Sequence, residues 1–245
     1  MDNRFIRKLE NFTRFSEADL KALEDASAQG IRRLGAREDI VLEGDEPRYV
    51  NLLLEGWACR YKQFQDGRRQ IIAFFLPGDL CDPHIFTLRR MDHAVATLTP
   101  VTLARISQER IEAITTASPR VAETLWWAML HTTAIQREWT VSLGQRSAVE
   151  RLAHLFCELH LRLRAVGLTE ATSYELPVTQ ADLADTLGLS SVHVNRTLQE
   201  LRTSGQITWK GRRLTIHDLP ALTALALFDP AYLHLDHEGA HLDAH

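Results

Sequence analysis

The residues best suited to engage a partner lie between positions 179 and 213. Ser190, Ser191, His193, Asn195 and Arg196 place five polar side chains within seven positions. Arginine can donate twice to guanine O6 and N7, asparagine can pair at two points with adenine, and serine can serve either base. A little further on, Lys210, Arg212 and Arg213 surround Gly211. From Leu189 to His217 there are five basic residues and a single acidic one, Glu200. Phosphates call for such a patch, because counterion release supplies much of the affinity for a nucleic acid. The plainer alternative is a solvated helix face, which explains less well why acid is nearly absent.

These residues must be held by local structure. Thr179-Gln180-Ala181-Asp182 resembles a capping box, with Asp182 where glutamate is commoner. The helix it opens runs to Leu187, where Gly188 stops it. Ser190 caps a second helix, which continues through Leu201 to Gly205. Helix, short turn and helix is the helix-turn-helix spacing, in which the start of the second helix enters the major groove. Ile207–Trp209 and Leu214–Ile216 flank the basic turn as a β-hairpin, which makes a winged variant. Ahead of it, Ala148–Arg164 reads as a helix with Leu152, Leu155, Phe156 and Leu159 on one face.

The first half has a different rhythm. Gly44, Gly56, Gly67 and Gly78 punctuate strand-like runs, and Val95–Leu98 and Val101–Ile106 extend the pattern. Turn signals every 8–12 residues or so predict an antiparallel β domain. It spans about residues 14–114, with a short helix capped by Ser16 at its start. From Pro119 to Leu143 the period changes. Val121, Leu125, Ala128, Thr132, Ile135 and Trp139 form a seam with a 3.5-residue repeat, which predicts a helix pairing with a second chain. A helix lying on its own domain is the alternative.

The chain has 245 residues, 45% hydrophobic and 24% charged, with 28 Lys and Arg against 32 Asp and Glu. This is globular composition, and it excludes a disordered or collagenous chain. No apolar run is long enough to span a membrane, and the N-terminus lacks a signal-peptide core. Cys59, Cys81 and Cys157 are scattered and odd in number, so a disulfide-stapled secreted fold is not expected. The expected location is the cytoplasm. GxSxG, HExxH, Walker A and GxGxxG are missing, so an enzyme is the lesser alternative. The net charge of −4 averages a basic head with an acidic end, since Asp218–His245 holds five acidic residues and no Lys or Arg.

Together these pieces resemble the Crp–Fnr family of bacterial transcription regulators over nearly the whole chain. Glu43-Gly44-Asp45, Leu53-Leu54-Glu55-Gly56, Asp66-Gly67 and Leu76-Pro77-Gly78-Asp79 are similar to its sensor β-roll. Glu150-Arg151-Leu152-Ala153 resembles the start of its DNA-binding domain. Thr179–Ala184, Leu187–Ser190 and Asn195–Leu198 resemble its helix-turn-helix. The resemblance implies an α+β protein: an antiparallel β-roll sensor domain (14–114), a long dimerisation helix (119–144), a winged helix-turn-helix domain (145–219) and an acidic His-containing tail (220–245). It implies a homodimer on a palindromic duplex, with RNA polymerase as a further candidate partner. Arg196 matches the family's base-reading arginine, and Thr179 and Gln180 match its backbone-contact region.

The departures bear on the signal. Members that bind cyclic AMP carry Gly-Glu after the Pro-Gly-Asp turn and an Arg pair before a later alanine. Here Cys81-Asp82-Pro83-His84 and Asp92-His93 stand there instead. An aspartate facing a phosphate repels it, so cyclic AMP is not expected. The N-terminal cysteines of the iron–sulfur members are missing, so neither is a cluster. No cofactor is expected; haem ligated by His84, His93 or Cys81, or a redox role for Cys81, is the alternative. His234, His237, His241 and His245 have zinc-compatible spacing, but a mobile tail is the expectation. Val192 replaces the family's usual glutamate, so its half-site does not carry over.

Overall fold

Two adjacent strands, buried on both faces, organise the N-terminal half. The structure is a computed structural model and describes residues 3–83 and 85–243. Helices α1 (Arg4–Leu9) and α2 (Glu17–Ser27) precede β1 (Ile31–Leu34), β2 (Asp39–Val41), β3 (Val50–Glu55), β4 (Ala58–Gln63) and β5 (Arg69–Phe75). Then follow β6 (Leu80–Cys81), β7 (Ala94–Thr97), β8 (Val101–Ile106), α3 (Gln108–Ala117) and the long α4 (Pro119–Gln145). The strands form two antiparallel sheets, ordered β1-β8-β3-β6 and β2-β7-β4-β5.

In β3 and β8, Leu52 opposes Ala104 while Leu53 opposes Leu103. Successive side chains point to opposite faces. Val50, Leu52, Ala104 and Ile106 therefore pack with Phe5, Leu9, Leu23, Val121 and Leu125 of the helices. Leu53, Val101 and Leu103 pack with Ala58, Phe75 and Val95 of the second sheet. The turn at Gly56 makes this stacking close. Its φ is +83°, and a Cβ there would lie 2.2 Å from the Pro100 carbonyl oxygen. The Ser16 cap forms as expected, in a capping box with Asp19.

The C-terminal half is built on α5 (Ala148–Ala165), whose Leu152, Phe156, Leu159 and Leu163 are buried. It is followed by β9 (Thr169–Glu170), β10 (Ser173–Glu175), α6 (Gln180–Leu187), α7 (Ser191–Thr203), β11 (Ile207–Lys210), β12 (Arg213–Ile216) and α8 (Leu219–Leu225). The expected hairpin is half of a sheet ordered β11-β12-β10-β9. Strands β9 and β10 are too short to give a period-two signal. The fold class is α+β: antiparallel β sheets, a long helix and a winged helix-turn-helix.

The chain divides into two compact units. One comprises residues 1–61, 74–134 and 234–245; the other comprises 62–73 and 135–233. Among the described residues no helix is long and apolar enough to cross a membrane.

Candidate nucleic-acid interface

Helix α6 begins at Thr179, whose hydroxyl accepts from the Asp182 N–H at 3.1 Å while Asp182 accepts from the Thr179 N–H at 2.8 Å. This reciprocal cap satisfies two donors that a helix start leaves open. Gly188 closes the helix with φ +64°, a left-handed conformation that glycine adopts without a Cβ clash. Ser190 then caps α7 by accepting from the His193 N–H at 3.2 Å. Val194, Leu198 and Leu201 bury the inner face of α7. Ser191, Asn195 and Arg196 are left exposed, and His193 half-buried.

The same face carries two side-chain links. The Asn195 amide donates to Gln180 Oε1 at 3.3 Å, tying α7 to α6. Arg196 lies 3.1 Å from His193 Nε2. Both bonds are exposed and can be exchanged for base or phosphate contacts. The Thr179 hydroxyl also donates to Asp182 Oδ2 at 2.7 Å, so it is committed to the cap. Val192 is 81% exposed at the head of α7, an apolar side chain placed where a thymine methyl could meet it.

On the wing, Lys210, Arg212 and Arg213 are exposed around Gly211, which has φ +58°. Arg212 pairs with Glu175 at 3.3 Å, and Arg213 forms an ion pair with Glu170. The basic window from Leu189 to His217 therefore overstates the free positive charge. Two of its four arginines are answered from β9 and β10, elements the sequence reading did not resolve. A second residue missed from sequence is Arg69. It bonds Asp182 at 2.9 Å and Asp185 at 2.7 Å, bracing the first turns of α6.

The proposed dimer seam turns inward. Val121, Leu125, Ala128, Ile135 and Trp139 are buried within one chain, and Thr132 is half-buried. Val121 and Leu125 join the core of the β unit, and Trp139 Nε1 donates to the buried Glu158 at 2.8 Å. A 3.5-residue repeat marks a helix face that packs; it does not say whether the neighbour is the same chain or another. The large apolar residues that α4 leaves open include Trp126, 53% exposed, and Leu130, 55% exposed.

In the β unit, the residues that replace the cyclic-AMP signature bond to each other. Arg60 forms an ion pair with Asp82, and its guanidinium lies 5.1 Å from the Phe75 ring centre. His93 sits between Asp82 at 3.0 Å and Asp92 at 2.6 Å. Burial alone would raise the Asp82 pKa, but hydrogen bonds and charge from His93 and Arg60 outweigh it and hold the carboxyl below its usual value. With both ring nitrogens engaged, His93 is a poor haem ligand; His84 lies outside the described residues. Burial, then the Asp82 charge, pushes the Cys81 thiol well above its usual pKa, which disfavours the reactive thiolate.

The C-terminal segment packs rather than trailing free. The His237 N–H donates to the Asn11 carbonyl at 3.1 Å, and the Gly239 N–H donates to Phe12 at 2.9 Å. Asp243 accepts from the Thr13 hydroxyl at 2.8 Å and lies 2.6 Å from His237 Nε2. His234 pairs with Glu238. The approach depends on Gly239, where a Cβ would fall 2.7 Å from the Phe12 carbonyl oxygen. His245 lies outside the described residues.

Residues 150–225 match the family described as a Crp-like helix-turn-helix domain, and residues 31–118 match a cyclic nucleotide-binding domain. The chain is 31% identical over 170 residues to the transcriptional activatory protein AadR of Rhodopseudomonas palustris, covering 69% of this chain and 70% of that one. It is 28% identical over 189 residues to the transcriptional activator protein FnrL of Cereibacter sphaeroides, covering 76% and 75%. The solved structure of FixK2 from Bradyrhizobium japonicum superposes with a TM-score of 0.72 at 27% identity, over 80% of this chain and 96% of that one.

Proposed function

The chain belongs to the Crp–Fnr family of DNA-binding transcription regulators, and we propose that it acts as a cytoplasmic homodimer on a palindromic duplex. The observation that carries the reading is the α6–Gly188–α7 unit with Ser191, Asn195 and Arg196 exposed on one face. In this arrangement Arg196 and Asn195 read base edges, with Ser191 and His193 beside them. Gln180 and the wing's Lys210 meet phosphates, while Arg212 and Arg213, paired with Glu175 and Glu170, add to the basic field of the wing. Thr179 and Ser190 serve by fixing the helix starts. The protein binds rather than catalyses. The names of FnrL and AadR support activation as the outcome, and RNA polymerase is the further partner that activation would call for.

Dimerisation uses the open face of α4. Trp126 and Leu130 follow the same 3–4 spacing as the buried seam but on another side of the helix, and apolar side chains in that pattern suit a partner helix. Segments 14–114, 119–144, 145–219 and 220–245 serve as sensor, dimer helix, reading head and tail.

The sensor does not take cyclic AMP. Arg60 is already neutralised by Asp82, and Asp82 and Asp92 on either side of His93 would repel a cyclic phosphate. Signal reaches DNA as a shift between two arrangements with different effector affinity.

Selection of genomic fragments with the purified full chain tests the central reading. The expected result is enrichment of inverted repeats with half-sites about one helical turn apart. Recovery of fragments with no shared sequence would refute it.

A further inference from the structure

The β unit holds an open cavity of about 450 Å³, lined by both sheets and by the segment 45–49, within the size range of small-ligand sites. One wall is a row across the first sheet. Arg105 of β8 lies opposite Asn51 of β3, which lies opposite Cys81 of β6. Arg32 of β1 lies opposite Leu103, two residues from Arg105, so the two arginines share a face as diagonal neighbours. The rest of the lining mixes apolar Ile85, Met91 and Val95 with charged Asp45, Glu46 and Arg48.

The charged groups lining the cavity differ in how they are partnered. Asp82 is answered by Arg60 and His93. Glu46 lies 3.9 Å from Arg48, and Asp45 accepts the Leu42 N–H at 2.9 Å. Arg32 and Arg105 also line the cavity, and no carboxylate lies within ion-pair distance of either among the described interactions. Arg105 rests over the Tyr49 ring at 4.6 Å, and its buried Nε has no hydrogen-bond partner. Buried polar groups in native proteins are almost always paired, so an unpaired one needs an explanation.

We propose that this cavity binds a small organic acid, its carboxylate held by Arg105 and Arg32 and its apolar body seated on Ile85, Met91 and Val95. Arginine suits a carboxylate because its planar fork can donate twice. The Asn51 amide stands beside the same anion. The apolar members of the lining offer a fully charged inorganic ion no hydrogen bonds, which favours an organic acid over phosphate. The Arg60–Asp82–His93 cluster, where the family resemblance would have put a cyclic phosphate, borders this cavity through Asp82. The inference rests on reading the β unit as the sensor.

Isothermal titration of the full chain with benzoate and hexanoate tests it. Benzyl alcohol, hexanol, inorganic phosphate and cyclic AMP serve as the contrasts. Saturable binding of at least one acid with a Kd at or below about 1 mM is expected, with its neutral alcohol and phosphate at least tenfold weaker. Arg105→Gln and, separately, Arg32→Gln should each weaken acid binding at least tenfold. Unchanged thermal unfolding of either free variant shows that the fold is kept. Failure of both acids to bind overturns the proposal. So does equal binding by alcohols or phosphate, equal binding by both variants, or cyclic AMP binding with the higher affinity. Genomic selection without added acid is a separate readout, so loss of this inference leaves the DNA-binding reading standing.

Discussion

The wing offers the sharpest quantitative test, because its three cations are not equivalent. Arg212 is paired with Glu175 at 3.3 Å, whereas no carboxylate lies within ion-pair distance of Lys210 among the described interactions. Each phosphate contact contributes about 0.9 to the slope of log K against log salt. Lys210→Ala should therefore flatten the slope by about 0.9 per bound protomer. Between 50 and 200 mM salt that is a change of about 3.5-fold per protomer, or about 12-fold for two. Glu175→Gln should do the reverse, freeing Arg212 for a phosphate and steepening the slope by about 0.9. Adding Arg212→Ala to Glu175→Gln should return the slope to its starting value. The assay is fluorescence anisotropy of a labelled duplex carrying a selected site, titrated at several salt concentrations. Unchanged slopes in both Lys210→Ala and Glu175→Gln would remove the wing from the phosphate contacts, however strongly the protein binds.

Arg196→Ala should cost about 1–3 kcal/mol on a selected site and relax base choice at one position; equal loss on random duplexes in the same assay would contradict a base-reading role. His154 is buried, and its pKa is lowered from 6.5 to about 3 by burial and then by the Arg146 charge. A depressed histidine stabilises above its unfolded pKa, and that stability is lost as pH falls from about 6.5 towards 3. Urea unfolding at pH 7 and pH 5 should thus show about 2 kcal/mol less stability from this group at pH 5, and His154→Leu should abolish that difference; an equal acid loss in the variant would assign the effect elsewhere. Leu130→Glu puts a charge on the open face of α4 and should give a monomer by sedimentation with the fold intact, whereas a dimer that persists would move the interface off this helix.

The reading head was legible because its signals are local. A Thr/Asp capping box, a glycine stop and a serine cap depend only on residues a few positions apart, and all three form as the sequence predicts. The β sheets were legible for a similar reason, since turn glycines and strand alternation repeat over short spans. Failures came where a contact spans many residues. Glu170 and Glu175 reach Arg213 and Arg212 only because β9 and β10 join the wing sheet. Arg69 reaches Asp182 from 113 residues away, and no window of sequence reveals it. The α4 seam is ambiguous for a different reason: burial on the chain's own core and burial on a partner leave the same 3.5-residue mark. The packed tail was hidden because its anchors are main-chain bonds to residues 11 and 12, which carry no side-chain signature, and a Thr13–Asp243 bond that spans 230 residues.

The β unit shows why charge has to be followed to its partner before it says anything about ligands. By residue type, Arg60 is a candidate for holding an anion, yet Asp82 neutralises it and His93 and Asp92 continue the chain of bonds. By spacing, Arg32 and Arg105 belong to ordinary strands and draw no attention, yet they line a cavity with no carboxylate at ion-pair distance. Ion pairs formed within the fold cost a ligand the work of breaking them, whereas an arginine left without an anion offers its charge directly. The same rule orders the wing, where Lys210 is open and Arg212 is answered by Glu175. In both units the working cation is the one whose charge the fold has left unanswered. That makes Arg105 in the sensor and Lys210 on the wing the two positions where one substitution separates a functional role from a structural one.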